Sequence, residues 1–269
     1  MSYNDMLSKE TILEAADTKW AGRNVVYFDL TDSTNVQAKL LGDEAPHGTL
    51  VVADRQTGGK GRRGRTWESP GGEGIWMSLL LKPQMDPVNA SMLTLIMALA
   101  AEKGLREVTG MESQIKWPND LVLNKKKICG ILTEMNTDQM EIKNVIIGTG
   151  INVCQEEFPD EIKATATSLY LESGKRIPRS EIIGGIMKAF EEYYETFMET
   201  EDMSALIEEY NQKLVNLNNE VCILAPTGDF RGVSTGINKT GGLMVRLEDG
   251  SETEVISGEV SVRGVYGYV

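Results

Sequence analysis

Arg55-Gln56-Thr57-Gly58-Gly59-Lys60-Gly61-Arg62-Arg63-Gly64-Arg65 gathers five positive charges and four glycines, with no acid among them. Its flanks decide which fold can hold it. Upstream, Thr49 to Ala53 reads as a strand. Downstream, Pro70, Gly71, Gly72 and Gly74 prolong the loop, and Ile75 to Leu81 resumes as a strand ended by Lys82-Pro83. Gly59 to Gly64 fits the letters G-x-G-x-x-G, but the dinucleotide-binding form opens a helix directly after a strand. Pro70 to Gly72 leave no room for that helix. A P-loop does not fit either, because Lys60 precedes Gly61 and not Ser or Thr. What remains is a basic loop between two strands. Its glycines let backbone N–H groups approach an anion closely, and its arginine forks suit phosphate or carboxylate oxygens. The competing reading is a solvated basic loop.

The rest of the composition sharpens that choice. The chain has 269 residues, 41% hydrophobic and 25% charged, which is ordinary for a globular protein. Its net charge is −13, so its long-range field repels nucleic acid and anionic membrane, and a basic loop is out of character. A single His47 excludes multi-histidine metal sites and argues against a Ser-His-Asp triad. Cys129, Cys154 and Cys222 show no C-x-x-C spacing, which points to a reducing compartment and to core-filling roles. Met1 to Glu10 does not read as a signal peptide. The most apolar stretch, Ala90 to Ala101, is too short to span a bilayer and reads as a buried helix. The expectation is a soluble, cytoplasmic protein with no membrane partner.

Periodicity supplies the remaining elements. Residues 1–20 form a helical lead-in, Val25 to Asp29 a first strand, and Asp32-Ser33-Thr34-Asn35 a helix start. Val88 to Val108 predicts a long helix, and Gln114 to Leu123 an extended segment broken at Pro118. Lys125-Lys126-Lys127 predicts a tight basic turn. Ile128 to Met135 and Ile142 to Ile147 read as strands joined by Asn136 to Glu141. Arg179 to Met203 has an apolar stripe at helical spacing and a Glu-rich face expected to be solvated. A second helix covers Ser204 to Leu214. His47, between Pro46 and Gly48, is expected in an exposed loop. Near Leu217 the texture changes. Val221 to Val269 predicts five short strands, with Glu248-Asp249-Gly250-Ser251 as a type I′ hairpin signal. Two domains follow: residues 1–216, and a small β-barrel at 217–269.

Lys116-Trp117-Pro118-Asn119-Asp120 is the second constellation. Pro118 disfavours helix at Trp117 and fixes the next φ, so the side chains are presented rigidly. Alone, it reads equally as a capped turn with a buried Trp.

Together the two motifs resemble the biotin–protein ligase family. Asp32 to Asn35, the loop Gln56 to Trp67, Lys116 to Asp120, Cys129-Gly130-Ile131-Leu132, Gly148-Thr149-Gly150-Ile151-Asn152-Val153 and Ala166-Thr167-Ser168-Leu169 occur in family order. The resemblance covers residue 25 to the C-terminus. It implies an α+β fold: a mixed β-sheet flanked by helices, like class II aminoacyl-tRNA synthetases, then a small SH3-like β-barrel. It implies biotin and ATP as substrates, Mg²⁺ with the ATP, and biotinyl-5′-AMP as intermediate. The acceptor implied is a lysine of a biotin carboxyl carrier protein or domain, as for a biotin–[acetyl-CoA-carboxylase] ligase. Family members include monomers and homodimers. The short stretch before Val25 predicts no DNA-binding role.

By resemblance, Ser33, Thr34, Asn35 and Gln56 line the biotin pocket, with Lys60, Gly61, Arg62 and Lys116 at the activated carboxyl. Lys60, Arg62, Arg63, Arg65, Trp67, Lys116, Asn119 and Asn152 meet ATP, with Trp67 and Asn152 at the adenine. Arg62 and Lys116 are the catalytic pair. Lys60 stands where the family more often has Arg, which replaces a fork by a point charge. Asp120 suits either Mg²⁺ or a turn cap, and no metal ligand is assigned. Two alternatives stay open: a lipoate- or octanoate-protein ligase of the same superfamily, and a non-enzymatic nucleotide or RNA binder.

Overall fold

A computed structural model describes residues 6–139, 141–224 and 228–256, and the backbone of 259–262. The start of the lead-in (1–5) and the end of the expected barrel (263–269) lie outside the described residues. In chain order the elements are α1 Lys9–Ala15, β1 Asn24–Thr31, α2 Thr34–Leu41, β2 Thr49–Gln56, β3 Gly74–Leu81, α3 Leu93–Thr109, β4 Gln114–Lys116, β5 Asp120–Leu123, β6 Lys126–Asp138 and β7 Glu141–Asn152. They continue with α4 Leu169–Ser173, α5 Arg179–Met198, α6 Ile207–Lys213, β8 Glu220–Leu224, β9 Phe230–Ile237, β10 Leu243–Arg246, β11 Glu252–Val255 and β12 Glu259–Val262.

The first seven strands form one mixed sheet in the order β1-β2-β3-β7-β6-β5-β4. The β1–β2 pair is parallel and the others are antiparallel. Helices α3 and α5 cover one face. There Leu79, Leu81, Val145, Ile147 and Ile151 share a core with Ile96, Leu99, Ile183, Ile186 and Phe190. The stretch Pro87–Thr109 is apolar and long enough to cross a membrane, but 72% of that window is buried within the fold, so its apolarity serves this core. The expected helix from Val88 divides in two. Pro87–Met92 is a 3₁₀ turn capped by Asp86, whose side chain accepts from Val88 N–H, and the α-helix begins at Leu93.

Other expectations change in detail. The extended segment 114–123 is a hairpin, β4 to β5, turning through a cis Trp117–Pro118 bond. Strand β7 runs on to Asn152, so Gly148 to Asn152 belong to the sheet. The helix from Arg179 ends at Met198, short of Met203, and Ser204 to Leu214 is helical only over α6. The Glu-rich face of α5 is not uniformly solvated. Glu191 is 7% exposed and accepts from the N–H groups of Lys19, Trp20 and Ala21. His47 is not an exposed loop residue. It is half-buried, 4.6 Å from the Trp20 ring and 5.6 Å from Tyr194, and its Nδ1 accepts from Lys82 N–H.

The last five strands form a separate antiparallel sheet, β11-β10-β9-β8-β12, the small SH3-like unit. Its 248–251 turn takes a positive φ at Gly250 but not at Asp249, so it is not type I′. Asp249 instead accepts from Ser251 N–H. Trp117 pins this sheet to the first one. Its indole donates to Gly241 O (3.0 Å), and its N–H donates to Asn216 Oδ1 (2.9 Å).

Candidate active site

Strand β7 alternates. Residues 145, 147, 149 and 151 face one way, and Gly148, Gly150 and Asn152 the other. On that second face the glycines open space that larger residues would fill. A Cβ at Gly148 would lie 2.1 Å from Asn35 Oδ1, and one at Gly150 2.6 Å from Trp67 Nε1. Gly130 on β6 is the register partner of Gly150, and a Cβ there would lie 2.7 Å from the same indole. Trp67 thus lies on a glycine floor, with its Nε1 buried and without a hydrogen-bond partner among the described residues. The loop carrying it has a stem laddered by Gln56–Ser69 and Lys60–Thr66 bridges. Buried Arg179 (2% exposed) holds the far end of that stem, donating to Asp54 Oδ1 (2.8 Å) and Gly74 O (3.1 Å), while Asp54 also accepts from Gly72 N–H. Arg62–Gly64 makes a 3₁₀ turn with Arg63 at φ +56°.

Two adjoining cavities open over this floor. The smaller, about 50 Å³, is bounded by Ser33, Thr34, Asn35, Gln56, Lys60 and Gly148, among others. The larger, about 710 Å³, takes in Arg63, Arg65, Lys116, Asn152 and Gln155. Gly61, Arg62, Trp67, Asn119 and Lys127 line both. The two constellations met separately in the sequence touch here: Arg62 Nη1 donates to Asn119 Oδ1 at 2.7 Å. Asn119 Nδ2 donates to Asp120 Oδ1, which pairs with Lys127 Nζ at 2.7 Å. Lys127 Nζ also sits 5.1 Å from the Trp67 ring. A chain of cation, amide, carboxylate and cation therefore runs along the boundary between the cavities.

The wall of the small cavity is held by hydrogen bonds. Gln56 Oε1 accepts from Thr34 N–H (2.7 Å) and Oγ1 (3.1 Å), and its Nε2 donates to Ser69 Oγ. Ser78 Oγ lies 2.8 Å from Thr34 Oγ1 and 2.6 Å from Asn35 Oδ1. Asn35 Nδ2 donates to Glu134 Oε2. Ser33 occupies the N-cap position of α2 but makes no side-chain cap bond.

Every residue expected by resemblance to meet biotin or ATP lines one cavity or both. Lys116, 8% exposed, lines only the larger. Sequence reasoning missed two residues. Lys127 read as part of a basic turn, yet it is the lysine at the shared boundary. Its spacing gave no signal, because strict alternation would put residue 127 on the side opposite Gly130; a β-bulge, where the β5–β6 register shifts from Leu121–Cys129 to Val122–Lys127, brings it to Gly130's side. Ser78 gave no signal, because it looks like one polar residue inside an apolar strand. As for metal, no group of three His, Cys, Asp or Glu side chains that could hold an ion occurs among the described residues. Asp120 is engaged by Lys127 and Asn119. Burial pushes the Cys129 thiol, beneath the floor, far above its ordinary pKa, so it is inert.

The chain has relatives among known proteins. Residues 27–152 match the biotin/lipoate A/B protein ligase family, and residues 217–263 match the biotin protein ligase C-terminal domain. The chain is 38% identical to the bifunctional ligase/repressor BirA of Bacillus subtilis, over 91% of this chain and 76% of that protein. It is 29% identical to the biotin–[acetyl-CoA-carboxylase] ligase of Paracoccus denitrificans, over 80% of this chain and 91% of that one. Among solved structures it is similar to the biotin protein ligase of Aquifex aeolicus in complex with biotin and ATP. That match has a TM-score of 0.79 and 35% identity, and covers 90% of this chain and 99% of that one.

Proposed function

As the chain belongs to the biotin/lipoate A/B protein ligase family, we propose that it is an ATP-dependent biotin–protein ligase, with biotin at the small cavity and ATP in the large cleft. A biotin carboxylate oxygen attacks the α-phosphate. The bond to the β-phosphate breaks, and pyrophosphate leaves. In the second step an acceptor lysine amine attacks the carbonyl of biotinyl-5′-AMP, loses a proton as the amide forms, and AMP departs. The acceptor is a carrier domain of a biotin-dependent carboxylase. Mg²⁺ arrives with ATP, coordinated mainly by phosphate oxygens and water, as this small hard ion prefers.

The chemistry asks the protein for charge and position rather than a nucleophile. Two anions must meet against repulsion. Arg62 and Lys127 stand where the two cavities join, and cations preorganised in a partly dry site stabilise charge far better than water does. Lys116, Arg63 and Arg65 surround the triphosphate side. Asn119 and Asp120 hold the two boundary cations apart and oriented. The observation that carries the reading is the Arg62–Asn119 contact on the shared wall, because it unites the two motifs at one reaction centre.

The test is biotin-dependent pyrophosphate release from ATP without any carrier, run beside lipoate. Release with biotin only is expected. Release with lipoate only would move the chain to its sibling activity, and release with neither would end both readings.

A further inference from the structure

Just past the end of β7, Gln155 is 4% exposed and forms part of the wall of the large cleft. Its main-chain carbonyl accepts from Ser168 Oγ at 2.6 Å, which fixes its place. Its side-chain orientation follows from a relay. The Thr167 carbonyl can only accept, so Asn152 must turn Nδ2 toward it, at 3.1 Å. That turns Asn152 Oδ1 toward Gln155, which must answer with Nε2, at 3.2 Å. Reversing the Gln155 amide would set two oxygens against each other. The relay therefore leaves Gln155 Oε1 as its terminus, buried and without a hydrogen-bond partner among the described residues. A buried acceptor in that condition is destabilising unless a donor reaches it.

We infer that Gln155 Oε1 accepts a hydrogen bond from the exocyclic amino group of the nucleotide base, which makes Gln155 a specificity-determining residue for adenine over six-keto purines. The inference rests on the reading of the large cleft as the ATP site. Trp67, in the same cleft, offers a ring face for the base. Adenine brings an N–H donor to the orphaned oxygen. Hypoxanthine and guanine bring a carbonyl oxygen instead, acceptor against acceptor.

The experiment compares biotin-dependent pyrophosphate release from ATP, inosine triphosphate and the purine riboside triphosphate that lacks the amino group. The native protein should favour ATP over both by about tenfold or more in kcat/KM. Gln155→Met should narrow the ATP-to-inosine ratio about tenfold, chiefly through the nucleotide KM, with the biotin KM unchanged. An unchanged ratio in Gln155→Met overturns the inference, as does native turnover of the purine riboside nucleotide on a par with ATP. If the variant does not fold, the nucleotide series on the native protein decides alone. If the native protein releases pyrophosphate from none of the three nucleotides, the ligase reading has failed separately, and direct titration of ATP against inosine triphosphate still decides whether Gln155 reads the base. Equal affinities there would sink it.

Discussion

On one face of β7, Val145, Ile147 and Ile151 sink into the core under α3 and α5. On the other, Gly148 and Gly150 give way to Asn35 and Trp67, and Asn152 meets Thr167 and Gln155. The two faces belong to the same strand, one residue apart. The first buries as much apolar surface as it can and so supplies stability. The second gives up side-chain volume and keeps polar groups at a cavity edge, where the proposed ligands would sit. The contrast teaches that stability and chemistry are separated here by strand periodicity rather than by distance along the chain. It follows that substitutions on the two faces should be read by different assays.

The largest effect expected is on the covered face. Ile147→Ala should lower unfolding free energy by about 2–4 kcal/mol, through lost transfer energy and an unfilled cavity. Denaturant titration checks this. Pyrophosphate release per folded molecule should stay near native, and a large loss there would break the division of labour. On the open side, Lys127→Ala should cut biotin-dependent pyrophosphate release roughly 100-fold or more, on the scale of a lost charge stabiliser. Lys116→Ala run beside it sharpens the assignment. If Lys116→Ala abolishes release while Lys127→Ala does not, the boundary cation is Lys116. A smaller effect is expected for Gly150→Ala, whose new methyl would displace the Trp67 indole. We expect roughly tenfold weaker nucleotide or biotin use with little change in Tm, because Trp67 sits on a loop that can shift. A drop in Tm as large as that of Ile147→Ala would show that the floor is structural.

The smallest effect concerns pH and belongs to the helix-covered side. Burial holds His47 below its ordinary pKa, and its Nδ1 accepts from Lys82 N–H. The folded state therefore binds its proton less readily than the unfolded chain does. That part of the stability is complete above about pH 6.5 and is lost as pH falls through the unfolded value toward the depressed folded one. Between native protein and His47→Gln, the difference in Tm should shrink as pH falls from about 7 to 5.5. A constant difference would remove His47 from the pH response.

Much of this was legible in the residues. Five cations and four glycines between two apolar runs, in a chain of net charge −13, announced an anion site on a loop between strands. The order of Asp32 to Asn35, the loop, Lys116 to Asp120 and Gly148 to Asn152 pointed to the family. These signals are local: glycine spacing, proline constraints and charge contrast need no partner to be read. Other features were hidden because their meaning lies in what a distant segment brings. Glu191 looked like one acid on a solvated helix face until the N–H groups of residues 19–21 arrived from the start of the chain. His47 looked exposed until Trp20 and Tyr194 closed over it.

By itself, then, the sequence determined the kind of chemistry: a basic, glycine-bearing loop and a proline-stiffened lysine turn in an acidic chain, suited to joining two anions. Only the tertiary structure decided which cation stands at the junction, because Lys125, Lys126 and Lys127 are equivalent as letters. A β-bulge, where the β5–β6 register shifts from Leu121–Cys129 to Val122–Lys127, turns Lys127 toward Trp67 and Asp120. The same holds for Gln155, whose unpartnered oxygen exists only because a main-chain carbonyl outside its own segment fixes the direction of two amides in turn.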